Sequence, residues 1–191
     1  MSVRERKGRI FVLAGPSGVG KGTLRARALS NVENLVYSVS CTTRKPRAGE
    51  RDGVEYHFVS AREFEDELER GMFLEHASVH GNYYGTPRKN VEQEMEAGRD
   101  VLLEIDVQGA EQIRRILPDS VLIFISPPSL EVLANRLRER GTESEDKIAL
   151  RLENAKKEIE QAVKYHYIIV NDDLSSASDE LTSIILSYRN R

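Results

Sequence analysis

Arg9-Ile-Phe-Val-Leu-Ala14, running into Gly15-Pro-Ser-Gly-Val-Gly-Lys-Gly-Thr23, decides the fold. A short apolar run ends in a Gly-rich turn, and Gly20–Leu29 reads as the helix that follows. G-x-x-x-x-G-K between a strand and a helix is a phosphate-binding loop in its required context. Its glycines let the backbone curl until the N–H groups point at phosphate oxygens, and the helix N-terminus adds a favourable dipole. Lys21 supplies a point charge for the β- and γ-phosphates of a nucleoside triphosphate. A plain Gly-rich turn would need neither the lysine nor the strand and helix around it. The common motif places Ser or Thr directly after the lysine to ligate Mg²⁺. Here that position is Gly22 and Thr23 follows. Either Mg²⁺ is held mainly through water, which it keeps readily, or Thr23 takes part in phosphate contacts.

Outward from this loop, strands alternate with helices. Val101–Ile105, Val121–Ile125 and Tyr167–Val170 are further short apolar runs. Continuous rather than alternating apolar strands predict a parallel sheet buried on both faces. Ser129 caps a predicted helix reaching about Arg140. Thr142 with Glu145 reads as a capping box for a long helix, along which Ile148, Leu152, Ala155, Ile159 and Ala162 form one apolar stripe. Leu174–Tyr188 closes the chain as a helix. The order is βαβα, hence α/β: a three-layer α/β/α fold of the phosphate-loop nucleoside triphosphatase (P-loop NTPase) type, with a parallel central sheet. Residues 36–85 break the rhythm. They read as short strands (Tyr37–Ser40, Glu55–Val59, Phe73–Ser78) around one helix whose capping box is Ser60 and Glu63. This predicts a mixed lobe inserted in a core of about 8–35, 86–126 and 151–191. Residues 127–150 predict a second, smaller, lid-like insert.

The chain has 191 residues, 28 of them basic and 31 acidic, for a net charge of −3. That is one domain's length, and the charge balance argues against a nucleic-acid or membrane-surface binder. The charged MSVRERKGR segment meets only a short apolar stretch, so export is not expected. The one cysteine, Cys41, excludes an internal disulfide and favours a reducing, cytoplasmic setting. It reads as a small packed residue, since no partner for a nucleophile is evident. His57, His76, His80 and His166 show no metal-ligand spacing.

Within 42–51 there are four basic residues against one acidic. Arg44 and Arg47 are guanidinium forks suited to clamping a phosphate, and Tyr56 and Tyr84 offer hydroxyl donors. The alternative is a solvated basic loop. Glu104 and Asp106 end a buried strand, where open α/β sheets place ligands; they either orient Mg²⁺-bound water or simply pair with arginines. Arg136, Arg140 and Arg151 are candidates to stabilise charge on a transferring phosphoryl group, although Arg136 also fits the solvated side of its helix. Asn171, Asp172 and Asp173 follow a strand and fit an Asx turn or a loop beside a base. Thr86 before Pro87 fits a helix N-cap with proline at N1.

Five spaced segments together resemble the guanylate kinases. Beside the phosphate loop they are Ser38–Tyr56, Phe73–Glu75 with Gly81–Thr86, Glu104–Gly109, Arg140–Glu145 with Arg151, and Val170–Asp173. The resemblance runs from about Gly8 to Ser187, with Gly22 its clear departure. It implies transfer of the γ-phosphoryl group of ATP to GMP or dGMP, with Mg²⁺ accompanying ATP. It implies an ATP site of Gly15, Pro16, Ser17, Gly18, Val19, Gly20, Lys21, Gly22, Thr23, Arg136 and Asn171. It implies a GMP site of Ser40, Arg44, Arg47, Tyr56, Glu75, Tyr84, Thr86 and Asp106, and catalytic roles for Lys21, Arg44, Arg140 and Arg151. In this scheme Glu75 reads guanine, because a carboxylate accepts from both N1–H and the 2-amino group. Glu75 could instead be a surface acid, since 61–75 holds six acidic residues against two basic. Lys-Gly-Thr is also similar to adenylate kinases, which keeps AMP or UMP open as acceptor. Guanylate-kinase-like scaffold modules bind peptides without catalysis, but here Gly20 and Lys21 are intact.

Overall fold

A computed structural model describes residues 6–79, 81–139, 141 and 144–189. Arg140, Thr142 and His80 lie outside the described residues. Strands β1 (Ile10–Ala14), β7 (Asp100–Glu104), β8 (Val121–Ser126) and β9 (Tyr167–Val170) are the four predicted apolar runs. A short β2 (Leu35–Tyr37) joins them, giving a five-stranded sheet in the order β2-β7-β1-β8-β9. The pairs β1·β8, β8·β9 and β2·β7 are parallel. Every residue of β1 is buried, as the unbroken apolar run requires. A second sheet has the order β4-β3-β6-β5, from β3 (Cys41–Thr42), β4 (His57–Phe58), β5 (Phe73–Val79) and β6 (Asn82–Pro87). The helices are α1 (Lys21–Asn31), α2 (Ala61–Glu69), α3 (Arg88–Glu96), α4 (Val107–Ile116), α5 (Leu130–Glu139), α6 (Glu145–Glu160) and α7 (Leu174–Ser187).

The chain divides into two compact units. One runs up to Ile10 and takes in Asn34–Leu103 and Gln108–Ser120; the other holds Phe11–Glu33, Glu104–Val107 and everything from Val121 onward. In the first unit, α2 carries the predicted capping box. Glu63 N–H donates to Ser60 Oγ and Ser60 N–H donates to Glu63 Oε2. The helix lays Phe64 against Phe73, with ring centroids 4.5 Å apart, and against Cys41. In the second unit, Phe11, Leu13, Ile123 and Phe124 are fully buried sheet residues. Here α5 packs on α6 through Leu133, Leu137, Ile148 and Ala155. Ser129 caps α5 by accepting from Val132 N–H at 3.1 Å.

Four expectations are corrected. Tyr37 ends β2 of the parallel sheet, so Tyr37–Ser40 is not one lobe strand; the lobe strand starts at Cys41. Helix α6 begins at Glu145 behind Ser144, with no side-chain cap. Glu145 is thus the first residue of the helix rather than the third, the place a box opened by residue 142 would give it, and it accepts from Arg138 Nε at 3.1 Å. The stripe leaves the α-helix before Ala162, which is buried in a single 3₁₀ turn, Gln161–Lys164. Thr86 is no N-cap. It ends in β6, Pro87 takes the cap position of α3 with no side-chain bond, and the Thr86 hydroxyl goes elsewhere.

Candidate functional site

In the second unit, residues Gly15–Gly20 form the turn from β1 into α1. Positive φ requires glycine at Gly15, Gly18 and Gly20. Gly15 has φ 145° and a Cβ there would stand 2.2 Å from the Ile125 carbonyl oxygen; Gly20, at the start of α1 with φ 99°, would place one 2.5 Å from Asn171 Nδ2. Val19 is fully buried and anchors the turn. Asn171 Nδ2 donates to the Val19 carbonyl at 2.8 Å, so the residue after β9 fixes the loop's shape. Asn171 is 4% exposed, and its Oδ1 is buried without a hydrogen-bond partner among the described residues. Lys21 Nζ donates to the carbonyls of Gly15 (2.5 Å) and Pro16 (3.0 Å). Arg151, on α6, donates to Ser17 Oγ at 2.5 Å. The structure thus brings Ser17, Val19, Lys21, Arg151 and Asn171 onto one loop. Arg136 is half-buried on α5. Thr23 is exposed.

Glu104 ends β7 and lies 3.1 Å from Arg25 Nη1 of α1, so the arginine-paired alternative holds there. That approach is an ion pair, and Glu104 Oε2 is buried with no hydrogen-bond partner among the described residues. A Cβ at Gly22 would stand 3.9 Å from the same oxygen. Asp106 is half-buried in the same unit. No group of three or more His, Cys, Asp and Glu among the described residues could hold a metal. A hydrated Mg²⁺ brought by the nucleotide fits these residues, with Glu104 facing the space that Gly22 leaves. Sequence reasoning missed Glu158. Burial pushes its carboxyl up, Lys21 pulls it down and Asp106 pushes it up again. Its one signal in the sequence is the seven-residue spacing from Arg151, which puts both on one face of α6.

In the first unit, Arg44 is the centre of a cluster. Its fork donates to both oxygens of Glu50, at 2.9 and 3.0 Å, and to the Lys45 carbonyl at 2.8 Å. Its guanidinium lies 5.3 Å from the Tyr56 ring centroid and 5.9 Å from that of Phe58. Tyr56 packs edge-on to Tyr84 at 5.8 Å. Burial opposes the charge on Arg44, but Glu50 and Tyr84 outweigh it and raise its pKa. Burial likewise pushes Glu50 up, while bonds from Arg44 and the Arg47 backbone N–H win and hold it below the usual range. Glu50 was not singled out by sequence, being only the lone acid in a basic loop. The side chain of Arg47 is exposed. Burial, with Glu67 and Asp52 nearby, pushes the Cys41 thiol up to about 12, which suits a packed residue rather than a nucleophile.

Glu75 is 3% exposed, which excludes the surface-acid alternative. It stands on β5 opposite Thr86 of β6, and Thr86 Oγ1 donates to its Oε1 at 2.5 Å. The ladder shifts register between Phe73 and Glu75, a bulge of the kind that re-aims a side chain. Ser40 is buried in the same unit. Also in the second unit, Asp173 caps α7 by accepting from Ser176 N–H at 2.8 Å, so the Asx-turn reading holds for Asp173.

Comparison with known proteins follows the same lines. The family model for guanylate kinase matches residues 7–188. A guanylate kinase of Neisseria gonorrhoeae is 53% identical over 184 residues, 96% of this chain and 90% of the relative. One from Desulfitobacterium hafniense is 47% identical over 189 residues, 99% of this chain and 94% of the relative. The crystal structure of guanylate kinase from Anaplasma phagocytophilum superposes with a TM-score of 0.83 at 37% identity, covering 98% of this chain and 89% of that one.

Proposed function

The chain belongs to the guanylate kinase family, and we propose that it transfers the γ-phosphoryl group of ATP to GMP or dGMP, giving ADP and GDP. The single observation that carries the choice of acceptor is the burial of Glu75 beside Thr86. A buried carboxylate needs donors, and guanine presents two, N1–H and the 2-amino group. Adenine would offer neither.

The acceptor phosphate is already anionic, so no strong general base is called for. The work is to screen repulsion between two anions, align them and exclude water. On this reading the backbone N–H groups of Gly15–Gly20 and the Lys21 ammonium cradle the donor phosphates. Gly22 and Thr23 close the loop, and Asn171 and Arg136 face the adenosine side. Arg44 and Arg47 hold the GMP phosphate with the hydroxyls of Tyr56 and Tyr84, while Ser40, Glu75, Thr86 and Asp106 hold its base. Arg151 and Arg140 stabilise charge on the transferring group. Mg²⁺, when bound with ATP, neutralises charge on the phosphate oxygens, with Glu104 and Asp106 as acceptors for its water. Residues 36–85 form the GMP lobe and 127–150 the lid. No helix among the described residues is long and apolar enough to cross a membrane. The lone buried cysteine suits a cytoplasmic setting.

A coupled assay of ADP release with GMP, AMP, UMP or CMP as acceptor tests the proposal. GMP should be preferred by roughly 10⁴-fold, because the rejected bases leave buried polar groups unpaired. Comparable use of AMP would overturn it, and absence of turnover with every acceptor would turn the reading toward a binding module.

A further inference from the structure

The outer edge of the strand that carries Glu75 is closed by side chains rather than by another strand. In the order β4-β3-β6-β5, β5 is an edge strand whose ladder partner among the described residues is β6. An open edge leaves alternate N–H and C=O groups without ladder partners. Here Gln112 of α4 takes both backbone groups of His76. Its Nε2 donates to the His76 carbonyl at 2.6 Å, and the His76 N–H donates to its Oε1 at 3.2 Å. One turn earlier on the helix, Gln108 Nε2 donates to the Ser78 carbonyl at 3.4 Å.

A carboxamide has the donor and acceptor of a peptide group, so Gln112 replaces one residue of a neighbouring strand. The spacing matches as well. Four helical residues rise about 6.0 Å, and two strand residues advance about 6.6–6.8 Å. Side chains at 108 and 112 therefore meet strand positions 78 and 76, whose backbone groups share an edge.

The His76 N–H belongs to the peptide bond that begins at Glu75. Gln112 thus holds the peptide plane attached directly to the residue read as the guanine acceptor. On the other side of Glu75 the ladder shifts register, so pairing with β6 leaves the backbone there less strongly fixed. Thr86 restrains the carboxylate from the β6 side; Gln112 restrains the backbone from the opposite side.

We propose that Gln112 is a positioning residue for base recognition. By pinning His76 it sets where the Glu75 carboxylate stands, and so contributes to the preference for a purine bearing a 2-amino group. This rests on the reading of Glu75 as the guanine acceptor, and its effect is exerted through Glu75.

Gln112→Met keeps the length and removes both bonds. Gln112→Glu keeps the acceptor for the His76 N–H but sets a carboxylate against the His76 carbonyl. Steady-state kinetics compare GMP with inosine monophosphate, which lacks the 2-amino group, at saturating ATP; ATP is then varied at saturating GMP. For Gln112→Met, KM for GMP should rise roughly ten-fold, with kcat changed by less than about three-fold and KM for ATP unchanged. The preference for GMP over inosine monophosphate should narrow by about the same ten-fold, a ratio that mere loss of stability would not move. The His76 amide should exchange faster with solvent. Should the Met variant fail to fold, Gln112→Glu is read in the same way. An unchanged GMP preference in a folded variant, or failure of both variants to fold, overturns the proposal. Glu75→Gln run in parallel separates the two readings. If it leaves the GMP preference intact, the reading of Glu75 fails; if it abolishes the preference while Gln112→Met does not, only the role of Gln112 fails.

Discussion

Lys21 is a cation held by two carbonyls of its own loop. Its aliphatic stem lies at the start of α1 rather than in the core, so its removal should spare the fold. Lys21→Met keeps most of the bulk and deletes the charge. Turnover should fall at least ~10²-fold, about 2.7 kcal/mol of transition-state stabilisation, with thermal unfolding little changed. A folded variant that turns over normally would remove the phosphate loop from the mechanism. Glu50 makes a different kind of contribution. Its carboxyl lies below the ordinary glutamate range because bonds from Arg44 and the Arg47 backbone outweigh burial. A depressed carboxyl stabilises the fold above its unfolded pKa, and that stabilisation is lost as pH falls through the folded value. Glu50→Gln should therefore cost about 2 kcal/mol near neutral pH, as expected for hydrogen bonds to a charged group. The gap to the parent protein should close as pH falls below the ordinary glutamate range and through the parent's depressed value. Denaturant titrations across that range decide it; a gap independent of pH would mean that the pair contributes nothing through charge.

At the scale of elements, α2 offers the most direct test, since its N-terminus is held by a reciprocal pair of bonds between Ser60 and Glu63. Ser60→Ala should lower stability by about 1 kcal/mol without touching KM for either substrate, read by urea unfolding beside kinetics. That box was legible because its two residues are local, and so were the apolar runs of β1, β7, β8 and β9, whose burial on both faces leaves no polar alternation. What escaped was set by partners distant in sequence. Asn82–Pro87 contains a glycine and a proline, and it becomes β6 because β5 and β3 pair with it on either side. Leu35–Tyr37 is three residues long and is a strand only because β7 lies beside it. Thr86 followed by proline carries a local cap signal, yet cross-strand pairing took its hydroxyl to Glu75. The candidate site divides in the same way. The glycines and Lys21 announce themselves through one contiguous motif. Glu50, Glu158 and Gln112 carry common side chains at unremarkable positions, and only the fold reveals what they face.

For the molecule as a whole, the two compact units carry different halves of the proposed chemistry. The phosphate loop, Arg151 and Asn171 belong to one, and Arg44, Tyr56, Tyr84 and Glu75 to the other. Each half is held by contacts inside its own unit: Asn171 and Arg151 on the loop in the first case, Glu50 and Thr86 on Arg44 and Glu75 in the second. Local opening governs amide exchange, and a ligand that binds only the closed form of a segment slows it. A ligand at 100 times its Kd adds about 2.7 kcal/mol to the opening free energy of the segments it holds, roughly a hundred-fold in exchange rate. A non-hydrolysable ATP analogue with Mg²⁺ should therefore slow exchange across residues 15–23 and around Arg151, and leave residues 41–58 and 73–87 near their unliganded rates. GMP alone should do the reverse, with the largest effect around Arg44 and on β5. The pattern follows from where the contacts lie, because neither ligand needs the other to find its partners. Protection of both sets of segments by either ligand alone, or protection of residues 15–23 by GMP, would show that donor and acceptor sites are not divided between the units, and the assignment of phosphate loop to ATP and Arg44–Glu75 to GMP would fall with it.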